Sequence, residues 1–326
     1  MLFNELEYLQ RFGIFFRSPE FSSSYKPVFL KSIMDLADYD EHNPTKLLGH
    51  QWIKGTTDKL QVELEFPAIR FTKYYWDMHY RFRLKQSQNP SDVNIHKFFK
   101  DTDENLLRPP TLEDLVNEKH RELRRNVIRS SIKPQVLGKL NKDLELYEIV
   151  KGKNHIIFEH GIVEFFKKFK GILNPAIDYI LTKYLESINF SPRIAEKVRG
   201  KPKRDYLTAR EKEVLRKLHD ACFYCGKVVT RYHFDHVIPF DYLFSTELFN
   251  SVLACERCNS QKLNKLPTKV IFAKVLERNK KLAMLSGYDQ EWYCDVYRKC
   301  VIEYHGKREY FKPKRWFQVS SGAFAT

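Results

Sequence analysis

No apolar run in this 326-residue chain approaches the roughly 18 residues that a membrane-spanning helix needs. The opening Met1-Leu-Phe-Asn-Glu-Leu-Glu7 lacks the basic segment that begins a secretory signal peptide. Internal repeats and low-complexity tracts are absent, which excludes a solenoid or a repeat array. The N-terminal half carries no motif for ATP binding, methyl transfer or nuclease chemistry. Cysteine is scarce at six residues, yet four of the six lie between Cys222 and Cys258. These absences predict a cytoplasmic protein, and in that compartment paired thiols read as metal ligands rather than disulfides.

Basic residues are abundant. The formal net charge is +15 and the pI about 9.4, so a polyanion is the natural partner. The excess is local. Residues 1–66 hold seven Lys/Arg against ten Asp/Glu, residues 196–217 nine against four, and residues 262–284 seven against one. The two basic stretches flank the cysteine-rich region. An apolar content of 43% suffices for a core in each of two domains.

The expected class is α+β: a mainly helical N-terminal domain, then a zinc-braced domain with C-terminal helices. The expected divisions are a helical recognition or partner-binding domain (1–190), a basic linker (191–207), a domain holding the cysteine cluster (208–267) and a helical extension packed on it (268–326). Helices are predicted over Tyr25–Ala37, Ile69–Phe82, Leu112–Ile128, Ile162–Phe169 and Pro175–Ile188, with a short strand at His155–Phe158. Ile69–Phe82 interleaves Phe71, Tyr74, Tyr75, Trp76, Tyr80 and Phe82 with Arg70, Lys73, Arg81 and Arg83. That pattern suits either a buried helix with snorkelling cations or a base-stacking surface. Thr208-Ala-Arg-Glu211 is a capping box opening a helix to about His219. Further helices are expected over Val270–Met284 and Glu291–Tyr304, with Cys300 in the core and Cys294 without a metal role.

The informative run reads Cys222-Phe-Tyr-Cys225-Gly226, then His233-Phe-Asp235-His236-Val-Ile-Pro239, then Asn250, Cys255-Glu-Arg-Cys258-Asn259 and Lys262. Two Cys-x-x-Cys pairs make the tetrathiolate set that selects Zn²⁺ and leaves no open coordination position. The metal is therefore expected to be structural, and Gly226 relieves the first turn. Val228–Ile238 is β-rich and reads as a strand or hairpin. On a regular strand Asp235 and His236 point to opposite faces, so both reach one phosphate only where the chain departs from that geometry. Asn259 and Lys262, three apart, share a face of a helix expected to run to about Leu266.

With these residues in place, the segment Cys222–Leu266 resembles the HNH endonuclease superfamily, the ββα-metal fold, in its variety with two zinc knuckles. Its third signature position is Asn259 rather than His. The resemblance implies a Mg²⁺-dependent endonuclease that hydrolyses DNA phosphodiester bonds. In that reading His236 is the general base, Asp235 and Asn259 bind one catalytic Mg²⁺ or Mn²⁺, and Asn250 braces the loop that carries His236. An imidazole of ordinary pKa, roughly 6.5, is largely neutral at physiological pH, as a base must be. Lys262 and Arg231 are candidate phosphate contacts, and His233 a candidate metal ligand or substrate contact, or neither. Tyr25-Lys-Pro-Val-Phe-Leu-Lys-Ser-Ile-Met34 and Phe71-Thr-Lys-Tyr-Tyr-Trp76 resemble segments at the front of some bacterial HNH proteins associated with restriction or phage defence. Duplex DNA is the expected substrate, with a homodimer or a defence-system protein as possible partner. A junction-resolving or RNA-cleaving nuclease, or a non-catalytic zinc DNA-binding protein, are the alternatives.

Overall fold

The structure, a computed structural model, describes residues 4–17, 21–89, 93, 95, 110–200, 206–218, 220–228, 230–282, 288–304 and 310–311. Expectations touching Pro109, residues 201–205, His219, Val229 and residues 283–284 lie outside these, as do the side chains of Tyr80 and Tyr304. The chain forms two compact units, residues 1–189 with 198–200 and residues 190–197 with 201–326. It is α+β: mostly helical, with small sheets.

The first unit runs α1 (Glu5–Arg17), α2 (Tyr25–Met34), β1 (Ile53–Gly55), β2 (Lys59–Glu63), α3 (Glu65–Trp76), α4 (Leu112–Val116), α5 (Arg121–Val127), α6 (Gly138–Leu144), β3 (Glu148–Ile149), β4 (His155–Glu159) and α7 (His160–Ile188). Its antiparallel sheet has the order β1-β2-β4-β3, with Lys59 opposite Glu159 and Glu63 opposite His155. The aromatic stretch is core: Phe71, Tyr75, Trp76 and Phe82 are buried, and Arg70 beneath them bonds Asp35 Oδ2 at 2.7 Å. Those four rings therefore offer no base-stacking surface. Tyr25 stacks on Phe71 with ring centroids 5.8 Å apart.

Two helix expectations in the first unit are corrected. Leu112–Ile128 is broken at Asn117, whose ψ of 146° is extended. Arg124 makes the break tolerable: its Nη1 donates to the carbonyls of Leu115 and Asn117 at 2.8 and 2.7 Å, capping what the ended helix leaves unpaired. In the other case, 162–169 and 175–188 are one 29-residue helix with Pro175 inside it. The apolar stripe of Ile162, Phe166, Leu173, Ile177, Ile180 and Leu181 is buried continuously, and that burial outweighs the roughly 3 kcal/mol an interior proline costs. Charges line its other face, and among the described residues no helix is long and apolar enough to cross a membrane.

In the stretch expected as linker, residues 194–199 form α8 (Ile194–Arg199). The second unit continues with α9 (Ala209–Leu218), β5 (His233–His236), α10 (Phe240–Leu243), β6 (Ser251–Ala254), α11 (Glu256–Lys262), β7 (Leu266–Pro267), α12 (Lys269–Leu282), α13 (Gln290–Tyr304) and β8 (Tyr310–Phe311). The strand expected over 228–238 is confined to four residues, paired antiparallel with β6. α11 stops at Lys262, short of Leu266, because Leu263 turns to a positive φ of 44°. The C-terminal helices supply much of the core: Ile271, Phe272, Val275, Tyr293, Val296 and Cys300 pack with Cys222, Tyr224, Val237 and Val252.

Candidate active site and metal centre

Two local turns create the metal centre. In the first, Gly226 donates to the Cys222 carbonyl at 2.8 Å with φ +69°, and the Cys222 amide donates to Lys227 at 2.9 Å. A side chain at 226 would strain that left-handed turn. In the second, Cys255 caps α11, its Sγ accepting from the Cys258 amide at 3.4 Å. A bond from the Phe223 amide to the Leu253 carbonyl, 2.8 Å, ties the first turn to β6, which leads into the second. The four sulfurs of Cys222, Cys225, Cys255 and Cys258 consequently lie within 4.8 Å of one another. Zinc–sulfur bonds of about 2.3 Å in a tetrahedron place sulfurs about 3.8 Å apart, so the cluster fits Zn²⁺. Burial pushes the Cys222 and Cys258 thiols up, and a bound cation is what lets such neighbours ionise together.

The β5–β6 pair carries the candidate catalytic residues, Asp235 opposite Val252 and His236 opposite Ser251. The ladder stays regular through His236 and ends there. Asp235 and His236 therefore face opposite sides of the pair, and a phosphate touching both must sit at the strand's end. Asp235 is 9% exposed; its Oδ2 accepts from the Tyr224 hydroxyl at 2.5 Å and lies 3.3 Å from Lys262 Nζ. Burial, with the Asp235 charge beside it, pushes Tyr224 far above its ordinary pKa, so the phenol stays a donor. On the other face, His236 Nε2 is 3.2 Å from Thr246 Oγ1, and its ring lies 5.4 Å from that of Phe240.

Asn250, fully buried, clamps the turn after His236. Its Oδ1 accepts from the Ile238 amide at 2.8 Å, its Nδ2 donates to the Ile238 carbonyl at 2.9 Å, and its own carbonyl accepts from the Val237 amide at 2.8 Å. It cannot touch a substrate; any influence on chemistry passes through that turn. The Tyr293 hydroxyl donates to the same Oδ1 at 2.8 Å. Arg278 donates to the carbonyls of Ser251 and Phe249 at 2.6 and 2.7 Å, and Asn279 to Phe249 at 2.9 Å.

One expectation is overturned. Lys262 is fully buried, its Nζ donating to the His236 carbonyl at 2.5 Å beside Asp235, so it is part of the site's frame and not an outward phosphate contact. Asn259, half-buried and one helical turn before Lys262, shares the face of α11 turned toward β5. Its side-chain amide and Asp235 Oδ1 have no protein partner among the described residues, leaving two hard oxygen donors of the type Mg²⁺ or Mn²⁺ takes. His233 is exposed on the Asp235 face, and Arg231 is exposed in the bend before the strand. Cys300 is buried in the core, and neither it nor Cys294 joins the sulfur cluster.

Sequence reasoning missed Tyr224, Thr246, Arg278, Asn279 and Tyr293. One signal was available. The buried stripe of α12 runs Ile271, Phe272, Val275, Leu282, and helical spacing puts Arg278 and Asn279 on it, where unpaired polar groups would be costly.

The comparisons with known proteins bear on this segment alone. Residues 222–265 match the family model described as HNH endonuclease. Neither the curated proteins nor the solved structures contain a match to the chain. The match spans both cysteine pairs, the Asp235-His236 strand and the helix after it, so the second unit carries an HNH endonuclease domain of zinc-knuckle type and, with it, general nuclease character.

Proposed function

We propose that this HNH domain hydrolyses DNA phosphodiester bonds with His236 as general base. The observation that carries the reading is that half-buried His236 is the last paired residue of β5, next to Asp235 and just before the turn that Asn250 clamps. The imidazole takes a proton from water as the water oxygen bonds to phosphorus, and the bond to the 3′-oxygen breaks. Thr246 against Nε2 holds the ring plane while this occurs. Asp235 and Asn259 would hold Mg²⁺ or Mn²⁺, whose charge stabilises the crowded phosphorus and the leaving oxygen when bound. Tyr224 and Lys262 fix the carboxylate by Oδ2, so Oδ1 remains for that role. The four thiolates would hold zinc as a brace. His233, exposed on the Asp235 face, and Arg231 in the bend before it are kept as substrate contacts.

The setting we assign is restriction or anti-phage defence, supported by the resemblance of segments 25–34 and 71–76. Since both segments are core, that resemblance speaks for the N-terminal fold and not for a contact surface. Residues 1–190 are then a target-recognition or partner-binding module. One such centre cuts one strand at a time, so a double-strand break would take two copies or two successive nicks.

The test is Mg²⁺- or Mn²⁺-dependent nicking of supercoiled plasmid by wild type and by His236→Ala. Loss of nicking in the variant at unchanged zinc content is expected; equal nicking refutes the assignment. Branched DNA and RNA alongside decide the substrate class. Metal-independent binding without cleavage of any of them would make the domain a zinc-braced DNA-binding module.

A further inference from the structure

The hydrolytic centre uses none of the basic residues of α9, which lies outside the segment matched by the family. The helix opens on the capping box Thr208/Glu211, with Glu211 N donating to Thr208 Oγ1 at 3.2 Å and Thr208 N to Glu211 Oε2 at 2.7 Å. It buries Leu215 against Leu248 and Leu253, which fixes its rotation on the β5–β6 pair. Lys212 and Arg216, four apart, then share one face. The Arg216 guanidinium carbon stands 5.6 Å from the Tyr232 ring centroid and 5.9 Å from that of Phe234; Lys212 Nζ is also 5.9 Å from Phe234. Both cations are within cation–π range, and stacking reduces the freedom they would lose on binding.

Phe234 precedes His236 by two residues on β5, so it stands on the same face, about 7 Å along the strand. The two stacked cations are therefore on the His236 side of the sheet. Lys217, on the same helix, pairs with Glu213 at 2.8 Å, whereas neither Lys212 nor Arg216 forms an ion pair with a carboxylate among the described residues. Two pre-positioned cations that form no ion pair among the described residues, beside a candidate phosphodiester site, match a second phosphate.

We propose that Lys212 and Arg216 hold a backbone phosphate flanking the scissile one, on the His236 side of the strand. The inference rests on the nuclease reading of residues 222–265 and adds a binding register to it. Sequence is not read at this point, because a phosphate carries no base identity.

The experiment uses the full zinc-loaded chain and labelled DNA duplex, single-stranded DNA and RNA, with Kd measured across a salt series. Lys212→Gln/Arg216→Gln should raise Kd about tenfold at low salt and flatten the log–log salt slope by about one to two. It should raise KM for nicking with kcat kept. Arg216→Lys, which retains the charge, should keep the slope, as should Lys217→Gln. Wild-type binding whose Kd and slope are unchanged in the double variant, at full zinc content, overturns the proposal. If the double variant loses zinc, the two single variants carry the same comparison. A wild-type chain that binds none of the three nucleic acids overturns the nuclease reading and this inference together; binding without cleavage overturns only the former.

Discussion

Asn250→Ala tests whether the turn after His236 depends on one buried amide. The side chain makes three hydrogen bonds, to the Ile238 amide, the Ile238 carbonyl and the Tyr293 hydroxyl, all between 2.8 and 2.9 Å. All four groups are sealed from water: Asn250, Ile238 and Tyr293 are each 0% exposed. Alanine leaves three polar groups buried without partners, at about 1–3 kcal/mol each. Because the three are neighbours their losses do not add fully, and about 4 kcal/mol in total is expected. The Val237 amide bond to the Asn250 backbone carbonyl survives the substitution, so the loss isolates the side chain. Tyr293→Phe removes one of the three bonds and should cost about 1 kcal/mol. Equilibrium urea denaturation of the zinc-loaded chain measures both. Zinc release to a chromophoric chelator marks the transition of this unit, since the sulfur cluster lies wholly within it. Amide exchange at Ile238 should accelerate in step. A loss below about 1 kcal/mol for Asn250→Ala, with Ile238 still protected, would refute the clamp.

Two further outcomes follow from buried charge and the metal set. Cys225→Ser should abolish stoichiometric zinc, read by metal analysis, and unfold the second unit; a folded, zinc-free, active variant would contradict a structural metal. Lys197 is 1% exposed, with Nζ donating to Ser191 and, at 2.5 Å, to the Tyr242 carbonyl. Burial lowers its pKa to about 7, against the partial opposition of Glu303 and Asp241. The native state then releases this proton near pH 7 while the unfolded chain keeps it to about 10.4, so the unfolded state binds more protons in between. Stability of the second unit should rise with pH across that window by a few kcal/mol, at about 1.4 kcal/mol per unit of depression. Lys197→Met should flatten the rise; identical pH profiles for the two proteins would show that the ammonium is not paying for its burial.

The chemistry of the second unit was legible because it is local. Cys222-x-x-Cys225 and Cys255-x-x-Cys258 are short turns whose ligand type names the metal, and Asp235-His236 is a dipeptide. The aromatic stretch at 69–82 was ambiguous for the opposite reason. A helix rich in Tyr, Phe and Trp serves a core or a stacking surface equally well until α2 is seen against it. The long helix α7 was misread as two because a proline signal is local, whereas the continuous burial that overrides it is not.

Residue type and spacing by themselves determined the cysteine set, the α+β class and the polyanionic character of the partner. These depend on side-chain chemistry within a few residues and on net charge, neither of which needs a fold. Tertiary structure alone decided that Lys262 is buried under His236 and Asp235, that Arg278, Asn279 and Tyr293 hold the loop around Asn250, and that Lys212 and Arg216 stand on the His236 face. Each of those facts is a contact between segments distant in sequence. A lysine reads the same whether its ammonium reaches solvent or a buried carbonyl, and only the packing around it distinguishes the two.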